Sequence, residues 1–250
     1  HSREHETEAD LQAMKFLRPT QFSMSGSITC LQMLDTVDDS AFYGKLDIPR
    51  LFSFKDYPFK EKWIQNESSI FGQMKEDASG LSQKEKDSLR THPNCTKRIA
   101  TLQPLIIGKK DNPLFLVDSS LFTQLKSRFS IEIVEQLFRE ENFTLVIYYA
   151  LGLLKTNQER PFAIYSLARA LNALYSAQVN HRIGLVTDKE SRSQSLDYNH
   201  ICRMIDRLRL NELAEFNYYL CKNFQSEMID FTDFQKELNQ AKKNYQSSTQ

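Results

Sequence analysis

Charged side chains crowd the first ten residues: Arg3, Glu4, His5, Glu6, Glu8 and Asp10. Carboxylates and imidazoles so spaced are the groups that bind metals and move protons. His1-Ser2-Arg3-Glu4-His5 matches the inverted zinc motif HxxEH, which on a helix sets two imidazoles four residues apart, a usable ligand pair. His1 is the terminal residue, where helices fray, and that argues against the pair. No HExxH occurs; His5-Glu6 begins one, but position 9 is Ala. Asp10 lies one helical turn beyond Glu6 on the same face, and Arg3, three residues before Glu6, is placed to brace its carboxylate. Read alone, these residues are ordinary surface charge on a solvated helix. His92 precedes Pro93, an extended position from which a side chain can project clear of a helix end. His181 and His200 read as surface residues.

A longer pattern is more specific. Residues 2–10 read SRxxExEAD in full frame, and about eighty residues later positions 91–99 read THPxxxxRI. Together they resemble the M48 family of zinc metallopeptidases, which includes the CAAX prenyl proteases, bacterial heat-shock membrane proteases and mitochondrial or periplasmic quality-control relatives. The resemblance covers residues 2 to about 103. It implies zinc held by two histidines of an HExxH helix and a glutamate of the next helix, with Glu6 as that glutamate. Two imidazoles and one carboxylate leave an open position for water, whose pKa the metal lowers. The HExxH glutamate is then the general base. Asp10 is implied as the acceptor that orients a ligand histidine through its other ring nitrogen. His92 is implied on a loop near the cleft, contacting substrate or capping the metal; its structural alternative is a hydrogen bond to the start of the following helix. Arg98 is implied as a helix-docking residue.

The departure from the family is the missing HExxH, which would precede residue 1. The chain is therefore expected to be the C-terminal part of such a peptidase. Alone, it is expected neither to bind zinc tightly nor to cleave peptides. The complete protein is expected to use zinc on a protein or peptide substrate, in the cell envelope or periplasm, with an envelope or membrane-associated partner. The alternative from another class is a non-catalytic helical interaction module that docks a partner between its helices. An HExxH upstream of His1 discriminates the two.

The elements that must position these residues are helical. Residues 3–18 carry strong helix formers and stop at Pro19, and 25–38 place Ile28, Leu31, Met33 and Leu34 at helical spacing. Between Phe42 and Phe71 lie eight aromatics, in a stretch that reads as a loop followed by a helix near 59–76. They read chiefly as pins to the core, with a cleft wall or a membrane-touching surface as alternatives. A short helix is expected over 82–90 and another over 95–103, and 104–118 reads as a hairpin or packed linker. Helices follow over 119–128, 130–140, 142–156, 160–178, 195–209, 211–224 and 231–246. The pair 142–156 and 160–178 resembles one tetratricopeptide hairpin, but a repeat array needs about three. The expected architecture is all-α: the back half of a zincin-like catalytic domain over 1–103, then an irregular or tetratricopeptide-like extension over 104–250.

Composition excludes several classes. The chain has 250 residues, with 32 Lys+Arg against 32 Asp+Glu and no formal net charge. Nucleic acid is not an expected partner, because non-specific binding needs a basic face, and neutrality argues equally against a polybasic membrane module. Seven glycines, none close to another, leave no GxGxxG or P-loop. Cys30, Cys95, Cys202 and Cys221 form no CxxC, which excludes a thiolate zinc knuckle or redox pair. Cys95 near His92 is a weak hint of thiol chemistry, with no activating environment in view. The longest apolar run, Phe143 to Leu154, is shorter than the roughly 18 residues of a span and reads as a buried helix.

Overall fold

The computed structural model describes residues 3–37, 45–65, 95–106, 118–191 and 194–248, with the backbone alone described at 3–4 and 36–37. Every regular element among them is helical. The α-helices are α1 (Arg3–Leu17), α2 (Gly26–Val37), α3 (Ile48–Leu51), α4 (Cys95–Leu102), α5 (Ser119–Arg139), α6 (Phe143–Lys155), α7 (Arg160–Val179), α8 (Leu196–Arg207), α9 (Leu210–Phe224) and α10 (Thr232–Ser248). Single 3-10 turns occur at Glu61–Trp63, Gln103–Leu105 and Ile183–Leu185.

The chain forms two compact units. The first is His1–Phe42 with Met74–Gln124, and the second is Tyr43–Gln73 with Leu125–Gln250. The second unit thus takes in the aromatic segment that a boundary near 103 leaves with the first.

The first unit has a small core of Met14, Met24, Ile28, Leu31, Cys95 and Leu102. α4 packs on both α1 and α2. α1 ends where Pro19 removes a backbone donor, and Thr20 Oγ1 donates to the Leu17 carbonyl at 2.7 Å. Met33, at helical spacing with the core residues of α2, is exposed instead.

α7 is the centre of the second unit, packed against α6, α9 and α10. α6 (FTLVIYYALGLLK) is buried almost all round, as its composition requires. Asn142 caps it, accepting from Leu145 N–H at 3.2 Å. Ser195 caps α8 by accepting from Tyr198 N–H at 3.2 Å. α6 to α10 lie within a few residues of their expected spans. α5 differs: it runs unbroken where two helices were expected, because no glycine or proline interrupts 119–139. Arg169 of α7 ties down the far end of α5, donating to Glu135 at 2.9 Å and lying 3.6 Å over the Phe138 ring. Leu121, Phe122, Leu125, Phe129 and Ile133 of α5 stay exposed.

Three asparagines cross the core between α7, α9 and α10. Asn172 Oδ1 accepts from Asn217 Nδ2 at 2.8 Å and from Asn244 Nδ2 at 3.1 Å. Its own Nδ2 donates to the Glu237 carboxylate at 2.8 Å. Asn172→Leu removes an acceptor from two buried amides, leaving Asn244 Nδ2 without its partner in the core while Asn217 Nδ2 keeps its bond to Ala168 O at 3.2 Å. It is expected to lower stability by about 2 kcal/mol, seen as a lower urea midpoint at unchanged slope.

The described part of the aromatic segment, 45–65, packs into the core of the second unit. Phe52, Phe54, Tyr57 and Trp63 are buried. The helix expected near 59–76 is not formed over 59–65, where only the 3-10 turn Glu61–Trp63 occurs. Arginines of α8 take the carbonyls that a helix would use. Arg207 Nη1 donates to Lys62 O at 2.9 Å and to Gln65 O, while Arg203 Nη1 donates to Ile64 O at 2.6 Å. The remainder of that expected helix, the one over 82–90, and most of the linker over 104–118 lie outside the described residues.

Candidate functional site

Glu6 and Asp10 occupy successive turns of α1, and the same stripe continues into Met14 and Leu17, which face the core of the first unit. α4 repeats the arrangement. Cys95, Ile99 and Leu102 form its core-facing stripe, and Arg98 lies on it. The two stripes meet, so charges that look like surface decoration in the sequence are drawn together at the edge of an apolar core.

Arg98 bridges both carboxylates. Its Nε donates to Asp10 Oδ2 and its Nη2 to Asp10 Oδ1, each at 2.7 Å, the parallel two-bond fork suited to guanidinium and carboxylate. Its Nη1 donates to Glu6 Oε2 at 3.0 Å. The Arg98 side chain is 11% exposed, Asp10 15% and Glu6 36%. The hydrogen bonds to Asp10 hold the guanidinium protonated against the opposing effect of burial. Both Asp10 oxygens are thus engaged by Arg98, and one Glu6 oxygen remains without a partner among the described residues.

The docking role expected for Arg98 is what the geometry shows, and its docking partners are the two carboxylates singled out in the sequence. The tie between residues 6, 10 and 98 was not foreseen. Its signal was present: Arg98 is the arginine of THPxxxxRI and sits in phase with Cys95 and Leu102. The side chain of Arg3 and the whole of His92 lie outside the described residues, as do His1 and the Glu4 side chain of the HxxEH match. His5 is exposed. Among the described residues, no group of three or more His, Cys, Asp or Glu side chains could hold a metal ion.

The remaining candidates resolve as structural. None of the four cysteines is in a disulfide. Burial pushes the Cys202 thiol up to about 12 and raises Cys221 further, the opposite of an activated thiolate. His181 is exposed and takes a left-handed backbone, φ 56°. His200 corrects its surface reading, since it is half-buried in α8. Burial first, then the neighbouring Arg203, lower its pKa below the ordinary 6.5. A histidine depressed in the folded state contributes stability that is lost as pH falls below the unfolded value. Acidification below about pH 6.5 is therefore expected to lower the thermal midpoint, and His200→Gln is expected to flatten that dependence.

No described helix is long and apolar enough to cross a membrane. Compared with known protein families, curated proteins and solved structures, the chain matches none.

Proposed function

We propose that this chain is the C-terminal part of a zinc-dependent endopeptidase of the M48 type, acting on protein or peptide substrates in the cell envelope. Glu6 supplies one carboxylate oxygen to the metal, and two histidines of an HExxH helix N-terminal to residue 1 complete the protein ligands. The observation that supports this reading is the Arg98 bridge. It joins SRxxExEAD to THPxxxxRI through side chains about ninety residues apart, as two halves of one site would be joined.

When bound, zinc lowers the pKa of a coordinated water and polarises the scissile carbonyl. The chain's own residues hold the ligand in place. Asp10 grips Arg98 at two points, and Arg98 grips Glu6 Oε2, leaving Oε1 free of the guanidinium. A ligand so fixed by outer hydrogen bonds pays less ordering entropy on binding.

The test uses the complete natural protein. Glu6→Gln is expected to abolish hydrolysis of a denatured protein substrate and to reduce bound zinc measured by elemental analysis. Calorimetry of the 250-residue chain alone is expected to show no submicromolar one-to-one zinc binding. An upstream sequence without HExxH, or a Glu6→Gln protein of full activity, overturns the proposal; the first outcome leaves a non-catalytic interaction module.

A further inference from the structure

In the second unit, redox-active aromatic rings run in contact from the core outward. Trp63 and Tyr57 are buried, and their rings stack with centroids 6.2 Å apart. Tyr57 stacks in turn on Tyr219, at 5.0 Å and 8° between the planes. Tyr219 meets Tyr218 at 5.3 Å and Tyr245 at 6.3 Å, both edge-on. Tyr218 of α9 and Tyr245 of α10 then lie face to face, 4.9 Å apart and 3° from parallel. Tyr218, Tyr219 and Tyr245 are half-buried, so solvent reaches this end of the series.

Indole and phenol rings give up an electron readily, and rings in contact pass the resulting hole between them. The surroundings drive that hole outward. The buried Trp63 Nε1–H has no hydrogen-bond partner among the described residues, so an oxidised indole there keeps its proton and stays a strong oxidant. Tyr57 has a proton acceptor, since its hydroxyl donates to Glu215 Oε2 at 2.9 Å, and it can yield an electron to Trp63. Lys60 Nζ stands 4.9 Å from the centre of the Tyr57 ring and 5.3 Å from that of Trp63, which disfavours positive charge resting on either. Lys222 Nζ stands 5.4 Å from the Tyr219 ring and acts alike. Tyr218 and Tyr245 can share a hole across their stack and release protons to water.

We propose that the stacked pair Tyr218 and Tyr245 is an oxidative modification site, where holes passed from Trp63 and Tyr57 through Tyr219 end as a dityrosine bond between α9 and α10. The oxidant is a one-electron acceptor from solution, such as an oxygen-derived radical or a high-valent metal complex. Each of the two rings gives up one electron to it and its phenolic proton to water. The two phenoxyl radicals couple at the carbons ortho to their oxygens, forming one C–C bond. Both ortho C–H bonds then break, and those protons return to the phenolic oxygens. The chain thereby loses two hydrogen atoms and the oxidant gains two electrons. The other parallel pair, Tyr57 and Tyr219, is disfavoured for coupling because Tyr57 is buried and a lysine stands over each ring. The zinc reading concerns the other unit, and neither depends on the other.

The test oxidises the full 250-residue chain with photogenerated ruthenium(III) tris-bipyridine. The expected product is a monomer that has lost two hydrogens, shows dityrosine emission, and yields on digestion a peptide pair joined at Tyr218 and Tyr245. Tyr245→Phe is expected to lose that product while its far-ultraviolet dichroism matches the parent. Trp63 is the only tryptophan, so its oxidation products report on the inner end of the series. Tyr219→Phe keeps a ring in place but removes the phenol that relays the hole. Trp63 oxidation is expected to rise several-fold in that variant, and likewise in Tyr57→Phe. The proposal is overturned by the absence of an intramolecular dityrosine, by one mapped to a different pair, or by Trp63 oxidation that both phenylalanine variants leave unchanged.

Discussion

Arg98→Met is expected to destabilise the first unit by about 2–4 kcal/mol, a loss on the order of 10 °C in its thermal midpoint. The substitution roughly keeps the volume and the apolar stem, so the lost term is charge. Asp10 and Glu6 would be left as neighbouring carboxylates with no counter-charge among the described residues, at the edge of a core that there numbers six buried side chains. Removing one partner of a partly buried pair costs more than the pair contributes, because the remaining charge still loses hydration. Glu6 is exposed enough to be partly screened, which holds the figure below that of a fully buried triad. A second variant separates charge from packing. Adding Asp10→Leu to Arg98→Met removes both partners and is expected to recover much of the loss. Scanning calorimetry, with hydrogen exchange at α1 and α4 amides, reads both. An unfolding curve for Arg98→Met that overlays the parent would show that the bridge holds nothing together.

Phe216→Ala is expected to cost the second unit about 3–5 kcal/mol, the usual range for emptying a buried phenylalanine site. Phe216 is fully buried on α9 and is the hub for the aromatic segment. Its ring lies 5.1 Å from Phe52, 5.6 Å from Trp63, 6.0 Å from Phe54 and 6.3 Å from Tyr57. The contacts to Phe52, Tyr57 and Trp63 are edge-on, which adds to the area term. Four rings lose a common neighbour, and the segment over 45–65 has little regular hydrogen bonding of its own to fall back on. The thermal midpoint is expected to fall by roughly 10 °C, and the Trp63 emission to shift red as water reaches the indole. An unshifted emission with a lowered midpoint would mean that the segment holds Trp63 without Phe216.

The helical character of this chain was legible in its residues. Scarce glycine and proline and long periodic apolar stretches placed α6 to α10 within a few residues, because these are local properties of backbone and spacing. The aromatic segment was legible in purpose but not in form. Phe52, Phe54, Tyr57 and Trp63 pack into the core, as the density of aromatics suggested, yet the expected helix is missing over 59–65, where arginines 139 to 145 residues further on take its carbonyls. No local reading contains those donors.

The candidate site divides in the same way. Glu6 and Asp10 could be picked out from type and spacing, and their shared helix face follows from 3.6 residues per turn. Whether that face meets solvent or core is not a property of α1. Tertiary packing decided it, by bringing α4 onto α1 so that Arg98 falls between the two carboxylates. A partly buried carboxylate must find a counter-charge or lose its ionised form, and the chain meets that requirement from nearly ninety residues away.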